Sequence, residues 1–358
     1  MIIGLIIVLA LVLILPFVFK SVEHNLEYFL FFMGLIATIV SGILSLDLVI
    51  HILENKLLYF ITAAVLVAGL LFSYSVDKIK LLVEAALNRI PMNIFIGITV
   101  VVLGLLSSFI TAIIAALVLV EILHALPLKH KTKVKITIIA CLSIGLGAAL
   151  TPIGEPLSTI VASTLKADFW YLFRLLGWYI IPGVLAMGFL GMFIIQRDLN
   201  KARVKSNVVS FDDAEANFLK EEEIEVKKGE KLNAVFIRAF KIFVFVIALE
   251  LLGAGFKPLI NTYVIHLDSR LLYWINMVSA VLDNATLAAA EVSPAMTVTQ
   301  IKAILMGLLV SGGMLIPGNI PNIISAGKLN IKSREWASFG VPVGLILLAV
   351  YYVLIFML

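Results

Sequence analysis

The chain has 358 residues, of which 62% are hydrophobic and 14% charged, with a mean hydropathy of +1.11. A soluble domain is about half apolar and about a quarter charged, so the composition excludes a soluble globular protein and specifies a polytopic membrane protein with spans of bilayer length. The net charge of +4 comes from basic residues in short loops beside apolar spans, which fits the membrane topology rule and not nucleic-acid binding.

Taken in chain order, the elements read as all-α. Residues 2–19 are apolar, with no basic residue before them and no small-residue cleavage site after them. They read as a transmembrane helix and not as a removed signal peptide. Further helices are expected over residues 28–50 and 57–74. Residues 77–89 (DKIKLLVEAALNR) form an amphipathic stretch suited to the membrane interface. Residues 92–126 are apolar but carry Ser107, Ser108 and Thr111 near their middle. That predicts two half-helices meeting at a polar tip, a re-entrant hairpin, in preference to one long tilted helix.

Residues 135–165 are interrupted by Pro152, Gly154 and Pro156; two prolines four apart remove backbone donors and break a helix. The lone Cys141 lies in this run and can form neither an intramolecular disulfide nor a metal cluster. Residues 169–195 close this half. Residues 196–235 are the one long polar stretch, with eight basic and nine acidic residues. Mixed charge of that density reads as a solvated linker. The second half is shorter: a helix over 236–253, a connector over 259–268, a hairpin over 271–292 with Asp283 and Asn284 at its tip, a broken helix over 298–330 and a closing helix over 335–358.

Two interruptions in the first half have copies in the second. Ser107 to Ala116 aligns without a gap on Ser279 to Ala288, an offset of 279 − 107 = 172. Gly147 to Pro156 aligns on Gly312 to Pro321, an offset of 312 − 147 = 165. Broken apolar segments at corresponding places in two halves point to the binding site of a secondary transporter. The chain therefore divides into two N-terminal transmembrane helices (1–56), a first inverted repeat (57–195), a linker (196–235) and a second inverted repeat (236–358). With the hairpins not crossing, five crossings precede the linker. Eleven basic residues flank spans on the linker side, against five on the other (Lys56, Lys166, Lys257, Arg270 and Lys302). This asymmetry puts the linker in the cytoplasm and both termini outside a cell membrane.

Broken helices at membrane depth expose backbone groups, which is tolerated where they line a cavity. Asp283 is the sharpest candidate, since a carboxylate at depth marks an ion or proton path. Asn284 and Thr286 follow it, and these hard oxygen donors suit Na⁺ as they suit other hard cations. Glu155, between Gly154 and Pro156, is the second acidic residue; its repeat partner is Ile320, with Asn319 beside it. Asn319 and Asn322 flank the second break and Thr151, Ser158 and Thr159 the first, while Ser107 and Thr111 lie at the first hairpin tip. All are candidate ligands or caps of the half-helices. Glu121, Glu250 and Glu291 also fall within or near apolar spans; Glu250 reads either as a relay residue or as the partner of a basic group. No nucleophile elbow, metal-ligand spacing, phosphate loop or nucleotide-binding domain is present, so neither an enzyme nor an ATP-driven pump is expected, and no cofactor.

At these residues the chain resembles the ion transporter superfamily, which includes the NhaD-type Na⁺/H⁺ antiporters, the arsenite permeases and the divalent-anion/Na⁺ symporters. The resemblance covers about residues 57–358. Ser279-Ala-Val-Leu-Asp283-Asn284 is similar to the Ser-x-x-x-Asp-Asn hairpin motif of the NhaD branch, and Gly147–Pro156 and Gly312–Asn322 are similar to the broken-helix loops. The chain also resembles a small prokaryotic group of candidate cation transporters in that superfamily. It departs from the anion symporters, whose tips read Ser-Asn-Thr, because its own tips read Ser107-Ser108-Phe109 and Asp283-Asn284-Ala285. The first hairpin also lacks an acidic residue. The resemblance implies an inverted-repeat fold, a homodimer in the bilayer, and exchange of a cation, foremost Na⁺, for H⁺ by alternating access. The alternative is a Na⁺-coupled symporter of a small organic or inorganic anion.

Overall fold

The structure, a computed structural model, describes residues 1–19, 25–56, 89–206, 232–281 and 284–358, with isolated positions between 20 and 24 and between 57 and 88. The helix expected over 57–74, the amphipathic stretch over 77–89, Asp283 and most of the linker lie outside these residues. Every regular element among the described residues is helical.

The chain opens with α1 (Ile2–Val18), followed by α2 (Leu26–Val40) and α3 (Leu46–Leu53). One helix was expected over 28–50, but Gly42 stands at φ +74°, a left-handed conformation that glycine adopts without penalty. The Ser45 hydroxyl then accepts the Leu48 N–H at 3.2 Å and starts α3 afresh. Next come α4 (Met92–Ile110) and α5 (Ala112–Ala125), parted at Thr111, and then α6 (His130–Ala148) and α7 (Pro156–Thr164), parted by residues 149–155. Both interruptions fall where the sequence places them.

The closing helix of this half, α8 (Tyr171–Ser206), runs well past residue 195 into the expected linker. Residues 196–206 contain neither Gly nor Pro. They continue the helix with polar side chains, and the Thr132 hydroxyl of α6 donates to the Asp198 carboxylate.

The second half begins with α9 (Leu232–Tyr263), which continues through Pro258 where a connector was expected. A proline inside a helix removes a hydrogen bond. Here the tertiary surroundings outweigh that loss: Phe256, Leu259 and Ile260 are buried, and α9 lies along α2 in the most extensive helix pairing among the described residues. Then follow α10 (Ser269–Ile275), a 3-10 turn over Asn276–Ala280, α11 (Asn284–Glu291), α12 (Val298–Gly312), a 3-10 turn over Ile316–Gly318, α13 (Ile320–Lys328) and α14 (Ser333–Phe356).

Among the described residues, three helices are long and apolar enough to cross a membrane: Met92–Ile110, Tyr171–Asn200 and Ser333–Phe356. The first of these was expected to be a hairpin arm. Its 19 residues exceed the 14 of α5, and at 1.5 Å per residue it is about 28 Å long, close to the hydrocarbon thickness.

Packing ties the two halves together reciprocally. Within the first half α4 packs on α6, and within the second α10 and the turn after it pack on α12. Across the halves, α5 packs on α13 while α11 packs on α7. Small residues allow the close approaches, as is usual between helices in a membrane. A Cβ at Gly147 would overlap the carbonyl of Gly104, so α4 and α6 touch backbone to backbone.

Candidate functional site

Four helix starts meet at one cleft. It is lined by Thr111, Ala112 and Ile113 at the start of α5, by Ile153 to Pro156 before and at the start of α7, by Asn284 and Ala285 of α11, and by Asn319 and Ile320 at the start of α13. Ile242 and Val246 of α9 close it. No Lys, Arg or His is among these lining residues. Each helix start carries unpaired N–H groups and about half a positive charge from the helix dipole.

Local chemistry builds each corner. Thr111 stands at φ 75°, ψ 149°, a conformation that strains a β-branched residue by about 1–3 kcal/mol and is typical of functional positions. Its hydroxyl accepts the Ile114 N–H at 3.4 Å, which caps α5. The Ala112 N–H donates to Gly154 O at 2.8 Å and so ties this corner to the next. Gly154 is required there, because a Cβ would overlap the backbone of Ala148.

Glu155 and Asn319 occupy equivalent places. Each is the N-cap residue of a nine-residue helix, with φ −155°, ψ 160° and φ −154°, ψ 146° respectively, and neither side chain caps its helix. Each follows a glycine. A Cβ at Gly318 would stand 2.5 Å from Ser279 O and 2.6 Å from Gly312 O. The ungapped alignment pairs Glu155 with Ile320; the structure shifts this by one residue and pairs it with Asn319, because the 3-10 turn at Ile316–Gly318 brings α13 in one residue earlier. Glu155 is 4% and Asn319 3% exposed, so a carboxylate and an amide line one cleft away from bulk water.

Of the sequence candidates, Thr111, Glu155, Asn284 and Asn319 line the cleft together. Asn284 Nδ2 is buried with no hydrogen-bond partner among the described residues. Thr286 is buried but does not line the cleft. Three candidates turn out to hold the framework. Ser107 donates to Gly104 O at 2.6 Å and Ile144 O at 3.0 Å. Thr151 donates to Ser108 O. Asn322 donates to Gly312 O at 2.9 Å and Leu315 O at 2.8 Å. Thr151 and Asn322 are committed to carbonyls at the helix breaks, whereas Ser107 bonds carbonyls inside α4 and α6 and so joins those two helices. Asp283, next to Asn284 in the chain, lies outside the described residues.

Sequence reasoning missed Ile242 and Val246, whose apolar side chains look like any other on α9, and the Ala112–Gly154 tie, a backbone bond with no side-chain signature. No group of three or more His, Cys, Asp or Glu that could hold a metal lies among the described residues. What the cleft offers is oxygen and amide donors around one carboxylate, a set suited to a hard, weakly held ion.

A comparison with curated proteins finds no match. The model of one family, described as "Protein of unknown function (DUF1646)", matches residues 2–358, and the chain belongs to that family.

Proposed function

We propose that the protein is a secondary transporter of the cell membrane that exchanges a monovalent cation, foremost Na⁺, for H⁺, and that it is not an enzyme. The observation that carries this reading is the convergence of four helix starts on a cleft that holds Glu155 and, among the described residues lining it, no basic side chain. The helix dipoles offset the desolvation of the carboxylate. The carboxylate then has two exchangeable partners, a proton or a hard cation. Thr111, Asn284 and Asn319 supply neutral oxygens beside it. Asp283 joins this set on sequence grounds, as a carboxylate at the tip of an uncharged apolar segment.

The reading includes an inverted repeat with two hairpins (α4–α5 and α10–α11), the first with one arm, α4, long enough to span the bilayer, and two broken helices (α6–α7 and α12–α13). Reciprocal packing of α5 on α13 and α11 on α7 supports it. So do matched contacts: a Cβ at Gly147 would stand 3.2 Å from Ser107 Oγ, and one at Gly312 would stand 3.4 Å from Ser279 Oγ. Alternating access then arises from movement of the hairpin-bearing units against the remaining helices. The linker faces the cytoplasm and both termini the outside, from the distribution of basic residues. A homodimer rests on the family resemblance alone.

One observation favours a second reading. Helix starts attract anions, and four of them would hold the anion of a Na⁺-coupled symporter. The deciding experiment is flux into proteoliposomes carrying an internal pH dye, with Na⁺, Li⁺ or K⁺ added outside, for the wild type, Glu155→Gln and Asp283→Asn. Cation-driven proton movement that disappears in both variants is the expected result. No proton movement with any cation overturns exchange and moves the search to Na⁺-dependent uptake of anions.

A further inference from the structure

The central cleft has a neighbour along the same three helices. α7 starts at the cleft with Pro156 and ends at a second chamber with Ser163 and Thr164; α9 lines the cleft with Val246 and the chamber with Glu250, one turn on. α11 starts at the cleft with Asn284, and Val292, just past its end, reaches the chamber. The chamber opens to the surface between the exposed side chains of His51, Lys166 and Lys257.

Inside it, Glu250 is held by neutral groups from two distant parts of the chain. Asn55 Nδ2 donates to Glu250 Oε1 at 2.9 Å, and the Ser163 hydroxyl donates to the same oxygen. Asn55 also donates to Ser163 Oγ at 2.9 Å. Glu250 makes no ion pair among the described residues, and of the basic groups lining the chamber His51 acts on it electrostatically.

A polar stripe joins the two places. Thr159 and Ser163 are spaced by four and share one face of α7, and Glu155 is the extended N-cap residue immediately before that helix. The Thr159 hydroxyl, 1% exposed, donates to Pro152 O at 2.8 Å and to Glu155 O at 3.3 Å. The flanking Leu157, Ile160, Val161 and Ala162 are all buried and apolar.

We infer that Glu250 is a proton-transfer group that connects the cleft to solvent through this chamber, with Asn55 and Ser163 as its positioning residues. The inference rests on the exchange reading above. When a cation displaces the proton of Glu155, that proton travels along the face of α7 to the Glu250 carboxylate and then to bulk water, so each proton lost by Glu155 is gained and released once by Glu250. The charged or titratable groups facing Glu250 are His51 from α3, Lys166 after α7 and Lys257 on α9. A proton on the carboxylate leaves this cationic rim uncompensated, which favours its release outward.

The test is cation-driven proton flux in proteoliposomes for the wild type, Glu250→Gln, Glu250→Asp and Ser163→Ala, each checked for a monodisperse elution profile. Glu250→Gln keeps an oxygen for Asn55 and Ser163 but cannot titrate. We expect it to lower the maximal rate at least about tenfold with the half-saturating cation concentration unchanged. Glu250→Asp is expected to restore part of the rate, and Ser163→Ala to lower it less than Glu250→Gln. An unaltered maximal rate in Glu250→Gln overturns the relay and leaves exchange intact. A raised half-saturating concentration at full maximal rate overturns it in favour of a cation ligand. If Glu250→Gln does not elute as a folded protein, an unaltered rate in Ser163→Ala together with Glu250→Asp overturns it. Absence of exchange in the wild type overturns the exchange reading, and the relay with it.

Discussion

The two broken helices are built alike and furnished differently. In both, a glycine that tolerates no Cβ precedes an extended N-cap residue, and a nine-residue helix with proline at its start follows. In the first the N-cap residue is Glu155, in the second Asn319. The shared scaffold places both residues at the cleft, and of these two N-cap positions only the first carries a carboxylate.

The comparison breaks most severely at the glycines. Gly154→Ala forces a Cβ into the Ala148 backbone and is expected to cost about 3–5 kcal/mol, with Gly318→Ala costing less because its nearest contacts are 2.5 Å or longer. Unfolding midpoints in detergent check both. Equal and small losses would mean that the breaks are not held by these contacts.

The next effect separates the two corners. Glu155→Gln is expected to lower proton-coupled cation flux about 100-fold, while Asn319→Asp changes it less, because a second carboxylate alters charge without removing the titrating one. Flux at several cation concentrations decides, and a larger loss in Asn319→Asp would place the exchanging site in the second half.

A smaller contrast lies behind the cleft. Ser107 makes two hydrogen bonds and Ser279 one, at 3.2 Å to Leu308 O. Ser107→Ala is expected to cost about 1–2 kcal/mol and Ser279→Ala about 0.5–1 kcal/mol, read as shifts in thermal unfolding. The smallest change in stability belongs to Thr111→Gly. Relief of the φ 75° strain and loss of the helix cap oppose each other, leaving a net change within about 1 kcal/mol. Flux is nevertheless expected to fall, since the Thr111 hydroxyl leaves the cleft. A strongly stabilised variant with full flux would make Thr111 a strained residue without a role.

The sequence by itself determined the membrane character, the all-helical class and the breaks near residues 111, 149–155 and 313–319. These are local properties: apolar content follows from composition, and a missing proline N–H acts within a few residues, whereas the break at Gly42 went unread. The sequence also marked Glu155 and the polar side chains around the breaks. Only the tertiary structure decided which of them meet. Thr111, Glu155, Asn284 and Asn319 converge because four helix starts pack together, whereas Thr151 and Asn322 are spent on carbonyls at the breaks and Ser107 on carbonyls inside α4 and α6. Packing against α2 also carries α9 through Pro258, against local propensity. The partners of Glu250 were equally illegible, since Asn55 lies 195 residues away in the chain. Hydrogen bonds over such separations depend on how the helices stack, and no local pattern of residues encodes them.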